Sequence, residues 1–156
     1  MSENTQTAQV LVRPPIAWAV AVIAGFVLDW LAPLAFVSED WPAGLLGAVI
    51  FVLALALAVW AIDTMTRAGT NVPTSRPTTA IVASGPYRFT RNPIYLGMFG
   101  GLIGLGIAFD NLWFLLMLVP FALVIRYGVV AREEAYLERK FGDDYRGYRQ
   151  RVRRWL

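Results

Sequence analysis

The residues best suited to bind an anion lie together just before an apolar run. Arg88 and Arg91 precede Asn92 and Pro93. These last two favour a helix start, because Asn is a good N-cap and Pro needs no amide partner at the first helical position. A helix start with free amides and two guanidinium groups suits a carboxylate or a phosphate. The alternative is that these arginines only contact lipid headgroups.

An acidic pair, Glu133 and Glu134, follows the last apolar run. Carboxylates are disfavoured at a membrane boundary and are useful there to a cation or to ribose hydroxyls, with a solvated helix face as the alternative. Asp29 and Arg126 fall inside apolar runs, where a charge is costly, so both are functional candidates. Arg126 is also close enough to the end of its run to snorkel.

Some chemistry is excluded by composition. The chain has no Cys and no His, so disulfides, thiolate zinc sites, Ser-His triads and histidine metal ligands are ruled out, and we predict no metal site. Proton chemistry is left to Asp, Glu, Tyr, Lys or the substrate.

These groups are carried by a strongly apolar chain, in which 57% of the residues are hydrophobic. Four apolar runs approach the ~20 residues that cross a hydrocarbon core. They are 16–36, 43–62, 94–109 and 112–130. The third, at about 24 Å by helical rise, is short. We therefore predict an all-α integral membrane protein, one membrane domain over residues 1–156 with four transmembrane helices.

The basic residues predict the orientation. All 14 Lys and Arg residues can be placed on one side of a four-span bundle, so both termini and the loop 63–92 are expected to be cytoplasmic. The polar N-terminal segment does not resemble a cleavable signal, and we expect it to be retained. The net charge of +3 follows this membrane face, which favours lipid headgroups as partners and predicts no nucleic acid.

The loop 63–92 is longer than the ~2–8 residues that usually connect bundle helices, so we expect it to be ordered for a purpose. The tail, 131–156, is predicted to form two amphipathic helices that meet at Gly142 and Asp143. Their apolar stripe consists of Leu137, Phe141, Tyr145, Tyr148, Val152 and Trp155. A passive anchor on the membrane surface is the alternative function of this tail.

The third apolar run carries a ridge of small residues, namely Gly97, Gly100, Gly101, Gly104 and Gly106. Such a ridge permits close packing, here expected against the fourth span, and it could also hold a flat ligand against bare backbone. It could equally mediate dimerisation, so the oligomeric state is left open.

Two ordered motifs carry a family resemblance. They are Ser84-Gly85-Pro86-Tyr87-Arg88-Phe89-Thr90-Arg91-Asn92-Pro93-Ile94-Tyr95-Leu96-Gly97 and, further on, Arg126, Glu133-Glu134 and Phe141-Gly142-Asp143-Asp144-Tyr145-Arg146-Gly147-Tyr148. The chain from about residue 70 onward resembles the isoprenylcysteine carboxyl methyltransferase family and the related phospholipid N-methyltransferases. The resemblance implies an integral membrane enzyme that binds S-adenosylmethionine on the cytoplasmic side, between the last two spans, the central loop and the C-terminal helices.

The resemblance also implies roles for individual residues. The cofactor-binding residues are expected to be Tyr87, Arg91, Asn92, Pro93, Tyr95, Gly97, Glu133, Glu134, Tyr145 and Tyr148, to which the glycine ridge adds Gly101. The residues expected to act in catalysis are Arg126, Glu133 and Glu134, with Arg126 orienting the acceptor. Asn92 stands where eukaryotic members usually have His, so the donor geometry differs there.

The acceptor implied by the resemblance is lipophilic and enters from the bilayer, either an isoprenylcysteine-type carboxylate or a phospholipid-like molecule. Methylation at oxygen, nitrogen or sulfur stays open. Two other functions are kept as alternatives: a small four-helix exporter that couples protons through Asp29, and a non-catalytic membrane scaffold.

Overall fold

The computed structural model describes residues 7–156. This part of the chain is helical and contains no strand, as predicted. Its helices are α1 (Pro14–Leu31), α2 (Ala43–Arg67), α3 (Pro93–Ala108), α4 (Leu112–Leu123), α5 (Ala131–Phe141) and α6 (Asp143–Arg151), with a 3₁₀ turn at Gly85–Arg88 and a π-helical segment at Val124–Val130. Residues 1–6, the first part of the N-terminal segment that we expect to be retained, lie outside the described residues.

Three helical stretches are long and apolar enough to cross a membrane. They are Pro14–Leu31, Ala43–Arg67 and the continuous stretch Leu112–Phe141. The chain is therefore a multi-pass membrane protein. α3 has 16 residues, fewer than the ~20 that span a hydrocarbon core, so a fourth span stays a prediction.

We predicted that the first apolar run spans residues 16–36, but its helix ends before residue 36. α1 ends at Leu31, since Pro33 follows its cap residue and the position before a proline disfavours helical backbone. The segment after α1 lies against the connection between α3 and α4. There, the backbone amides of Phe36 and Val37 donate to the Asp110 carboxylate at 2.8 and 2.7 Å.

α2 continues beyond its predicted end at residue 62. Asp63 and Arg67 are one helical turn apart and their side chains pair at 2.7 Å, a spacing that supports helix. The loop to α3 therefore starts at residue 68 rather than 63. Within this loop, the hydroxyl of Thr70 accepts a hydrogen bond from the amide of Thr79 at 3.0 Å.

The glycines of α3 pack mainly against α2, so the predicted contact with the fourth span is wrong for most of the ridge. A Cβ on Gly104 would lie 2.7 Å from the backbone nitrogen of Phe51, and one on Gly97 would lie 2.7 Å from the carbonyl oxygen of Ala54. Only small residues permit such a close crossing of two helices. Gly106 alone of the ridge faces the start of α4, near Leu115.

The helix that contains the fourth apolar run does not end with that run at residue 130. Helical backbone continues without interruption from α4 into α5. Pro120 lies inside α4 and cannot supply a backbone amide, and a π-helical segment follows it. Ile125 and Val129, from this segment, are fully buried with Leu102 and Phe114 in the main core. The core thus fixes α5 relative to α3 at the end of the bundle where α3 begins.

The tail folds back onto the protein. Gly142 has a φ of 53°, a conformation that favours glycine, and it separates α5 from α6 where we predicted a break. Tyr145, Tyr148 and Val152 form a second buried cluster, packed by Ile81, Leu137 and Phe141. These residues of the apolar stripe therefore pack against the loop and α5.

Candidate active site

A pocket opens between the starts of α3 and α5, which we call the α3–α5 pocket. The loop before the 3₁₀ turn forms one wall and the tail another. Its volume is about 140 Å³, room for several waters at the ~10–15 Å³ that each needs; with the open mouth, the empty space reaches about 960 Å³. The predicted site residues that line it are Tyr87, Arg91, Asn92, Pro93, Tyr95, Glu133, Glu134, Tyr145 and Tyr148.

Glu134 holds two guanidinium groups. Arg91 Nη1 lies 3.0 Å from Glu134 Oε1, and both side chains are nearly buried, at 9% and 13% exposure. Arg154 donates from Nε to Oε1 at 2.9 Å and from Nη2 to Oε2 at 2.6 Å. Two cations facing one buried carboxylate leave this side of the pocket with an excess of positive charge.

Glu133 belongs to a different network. The hydroxyl of Tyr95 donates to its Oε1 at 2.8 Å, and Tyr95 itself is buried, at 8% exposure. Neighbouring residues of one helix thus point their carboxylates at different partners, Glu134 at arginines and Glu133 at a tyrosine. The pocket has a cationic side and, beside it, a carboxylate without a cationic partner among the described residues.

Two tail tyrosines close the pocket. Arg91 Nη1 donates to the Tyr145 hydroxyl at 3.2 Å, and the Tyr148 hydroxyl donates to the carbonyl of Tyr87 at 2.8 Å. Burial is the main cause that raises the pKa of both tail hydroxyls above the usual value, and burial likewise raises the pKa of Tyr87. All three therefore stay neutral hydroxyl groups at physiological pH.

Asn92 occupies the position before α3 that we predicted, but its side chain does not cap the helix. Its Nδ2 instead donates to the carbonyl of Arg154 at 2.8 Å, and its backbone amide donates to the Thr90 hydroxyl at 3.3 Å. Pro93 begins the helix as expected. The side-chain amide of Asn92 thus binds the tail, which the preference of Asn for N-cap positions does not predict.

Three predicted site residues lie away from this pocket. Gly97 and Gly101 pack against Ala54 and Trp18, in α2 and α1, so their bare backbone serves helix contacts. Arg126 is exposed in the π-helical segment, with its guanidinium 5.5 Å from the ring of Tyr127. Neither glycine nor Arg126 lines the α3–α5 pocket.

Asp29, the basis of the exporter alternative, lies half-buried in the last turn of α1. The pocket lies at the other end of this helix, near Ala8 in the segment that precedes it. The two sets of charged residues are therefore separated by the length of α1.

Sequence reasoning missed Arg154. It lies among several basic residues of the tail, and nothing in their spacing distinguishes it from Arg151 or Arg153. Its partner Glu134 is 20 residues away. The only signal was the predicted proximity of the tail to the acidic pair, which does not select one arginine.

The pocket combines a guanidinium, a carboxylate without a cationic partner among the described residues, and apolar walls. Arg91 lines the pocket, and its buried Nε has no hydrogen-bond partner among the described residues, so this guanidinium keeps unused donor capacity. Glu133 offers an acceptor for an ammonium group or ribose hydroxyls. Apolar walls from Val72, Ile81 and Leu137 suit the aromatic base.

The sequence profile of the family described as phospholipid methyltransferase matches residues 43–144, more than half of the chain. The chain therefore belongs to the phospholipid methyltransferase family, a family of membrane methyltransferases, and the resemblance noted in its motifs is confirmed at this level.

A stretch of 38 residues is 63% identical to an uncharacterised protein of Haemophilus influenzae, and the match covers 24% of this chain and 60% of that protein. The chain thus spans less than two thirds of that relative's length. No solved structure matches the chain.

Proposed function

We propose that this protein is an S-adenosylmethionine-dependent methyltransferase that acts on a lipophilic acceptor reached from the bilayer. The observation that carries the proposal is the α3–α5 pocket, in which the nearly buried Arg91 pairs with Glu134 beside a second carboxylate, Glu133, in a member of this family. Nothing found in the sequence comparisons or the fold favours an exporter or a scaffold.

The pocket residues divide the binding of the cofactor among them. Arg91 would hold the methionine carboxylate, Glu133 the ammonium group or the ribose, and Tyr145 and Tyr148 would cover the bound molecule. When bound, S-adenosylmethionine supplies a methyl group on a positively charged sulfonium.

The catalytic contribution of the protein is chiefly to hold the two reactants in line and to exclude water. A carboxylate or thiolate acceptor needs no base. An amine acceptor has to lose a proton, and Glu133 is the acceptor for it in the pocket, since Glu134 is engaged by two arginines. Arg126, exposed in the π-helical segment, would attract an anionic headgroup before transfer.

A second cavity offers a place for the apolar part of the acceptor. This α1–α4 groove is lined by apolar side chains of both helices, including Val20, Met117 and Phe121. It ends at Val12 and Val124, whereas Ala8 and Val130, a few residues further along the same two segments, line the α3–α5 pocket. A lipid chain in the groove would bring its headgroup towards the reaction site. We place this site on the cytoplasmic side, by the distribution of Lys and Arg.

The test is calorimetric titration of the detergent-purified protein with S-adenosylmethionine and S-adenosylhomocysteine. The wild type should bind both, and Glu133→Gln should weaken binding by about tenfold, the effect of losing one charge-assisted hydrogen bond of roughly 1.4 kcal/mol. Glu138→Gln is the matched control, because Glu138 lies on the same helix but pairs with Arg146 and Arg149 outside the pocket. A folded wild type that binds neither compound would overturn the proposal.

A further inference from the structure

The last residues of the chain are held against the start of α3 by their backbone. The carbonyl of Arg153 accepts from the amide of Arg91 at 2.9 Å, and the carbonyl of Arg154 accepts from Asn92 Nδ2 at 2.8 Å and from the Thr90 hydroxyl at 3.2 Å. Trp155 then packs edge-on against Phe99, with ring centroids 5.9 Å apart. The position of the Arg154 backbone is thus fixed on both sides.

From that position, the side chain of Arg154 takes both oxygens of Glu134. The two bonds, at 2.9 and 2.6 Å, form the parallel arrangement in which a guanidinium binds a carboxylate most specifically. Arg91 reaches the same carboxylate through Nη1 alone, at 3.0 Å. Arg154 does not line the pocket itself, so any effect it has on a ligand acts through Glu134.

We propose that Arg154 is a positioning residue of the cofactor site: by binding Glu134 at both oxygens, it prevents this carboxylate from engaging Arg91 fully and so keeps Arg91 available to a ligand carboxylate. The proposal rests on the proposed function, in which Arg91 binds the aminocarboxylate end of the cofactor. Without Arg154, Glu134 turns to Arg91 with both oxygens and neutralises it.

This role predicts an effect confined to ligands that carry the aminocarboxylate group. S-Adenosylhomocysteine carries it, and 5′-methylthioadenosine has the same nucleoside thioether without it. Arg154→Gln should weaken the binding of S-adenosylhomocysteine by about tenfold or more and leave that of 5′-methylthioadenosine within about twofold. Arg154→Lys should be intermediate, because an ammonium group cannot hold both oxygens in parallel.

The experiment is calorimetric titration of full-length wild type, Arg154→Gln, Arg154→Lys and the double variant Glu134→Gln with Arg154→Gln, using both ligands, with thermal melting of each. Arg153→Gln is the control, since only the backbone carbonyl of Arg153 is used and its side chain is exposed. In the double variant, the neutral amide that replaces the Glu134 carboxylate no longer competes for Arg91. Binding of S-adenosylhomocysteine should therefore recover relative to Arg154→Gln alone.

The outcomes separate the two proposals. A wild type that binds neither ligand overturns the proposed function and this inference with it. If the wild type binds but Arg154→Gln binds S-adenosylhomocysteine equally well, only the role of Arg154 is overturned. Equal loss of both ligands, or no recovery in the double variant, shows a general structural role for Arg154 and also overturns the inference.

Discussion

At the scale of single residues, the site depends on which partner each charge has. Glu133 and Glu134 are adjacent in sequence, yet one bonds to a tyrosine hydroxyl and the other to two arginines. The sequence motifs placed both glutamates, Arg91 and Tyr95 at one site, and the fold brings them together in one pocket. The motifs did not assign their partners, because side-chain pairing over tens of residues depends on how α3, α5 and the tail meet.

Removing Arg91 should destabilise the protein as well as impair binding. Arg91→Met leaves the buried Tyr145 hydroxyl without its donor and Glu134 with one cation, which we expect to cost about 1–3 kcal/mol. Thermal melting in detergent measures this. Arg149→Met is the control, because Arg149 forms an exposed pair with Glu138 and its loss should change the melting temperature little. Equal melting of the two variants would contradict the structural role of Arg91.

The buried tail tyrosine makes stability depend on alkaline pH. Burial raises the pKa of Tyr148 in the folded protein, whereas an unfolded tyrosine ionises near pH ~10. The stabilising contribution of the neutral hydroxyl is therefore fully present below about pH 10 and is lost as the pH rises towards the folded-state pKa. Melting temperatures should be flat from neutrality to this point and then fall, and Tyr148→Phe should reduce the fall. An unchanged fall in that variant would assign it to other groups.

At the scale of elements, the sequence predicted the helices well and their ends less well. The early end of α1 could have been predicted from Pro33. The end of the last span could not be predicted from the change in polarity, because the helix through residues 112–141 continues past it. We predicted the wrong partner helix for the glycine ridge, because small residues permit close packing but do not determine which helix packs against them. Gly97 and Gly101 lie away from the pocket because they pack against α2 and α1, respectively.

Close packing of α2 and α3 should be sensitive to a single methyl group. Gly104→Ala places a Cβ 2.7 Å from the backbone of Phe51, so the helices have to separate, at a cost of about 1–3 kcal/mol. Gly44→Ala adds the same atom to α2 with nothing within 4 Å, and should be neutral or stabilising. Thermal melting of both variants in one detergent checks this. A Gly104→Ala variant as stable as Gly44→Ala would refute the close crossing.

At the scale of the whole molecule, we propose that the α1–α4 groove binds the apolar part of the acceptor. Val20→Trp should fill the α1–α4 groove and raise the KM for a long-chain acceptor by about tenfold, with unchanged cofactor affinity. Val59→Trp is the control, because Val59 is similarly exposed, at 55% against 60%, on the surface of α2 outside the groove. Equal KM values for both variants would remove the groove from the acceptor path.

Composition could predict a multi-pass membrane protein, and the motifs could predict its family. They could not predict that Arg154 returns to the acidic pair, nor that Arg126 lies outside the pocket, since both depend on how the π-helical segment and the tail orient their side chains. They also leave the acceptor open, because its recognition depends on the shape of the groove.

The most direct test of the central claim is transfer of a radioactive methyl group from labelled S-adenosylmethionine to lipid. Wild-type protein is reconstituted in vesicles that contain phospholipid or prenylcysteine acceptors, and the label is measured in the organic extract over time. We predict label in the lipid fraction that forms more slowly with Glu133→Gln at subsaturating S-adenosylmethionine and forms at the wild-type rate with Glu138→Gln and Asp29→Asn. Folded wild-type protein that labels none of these acceptors would contradict the account.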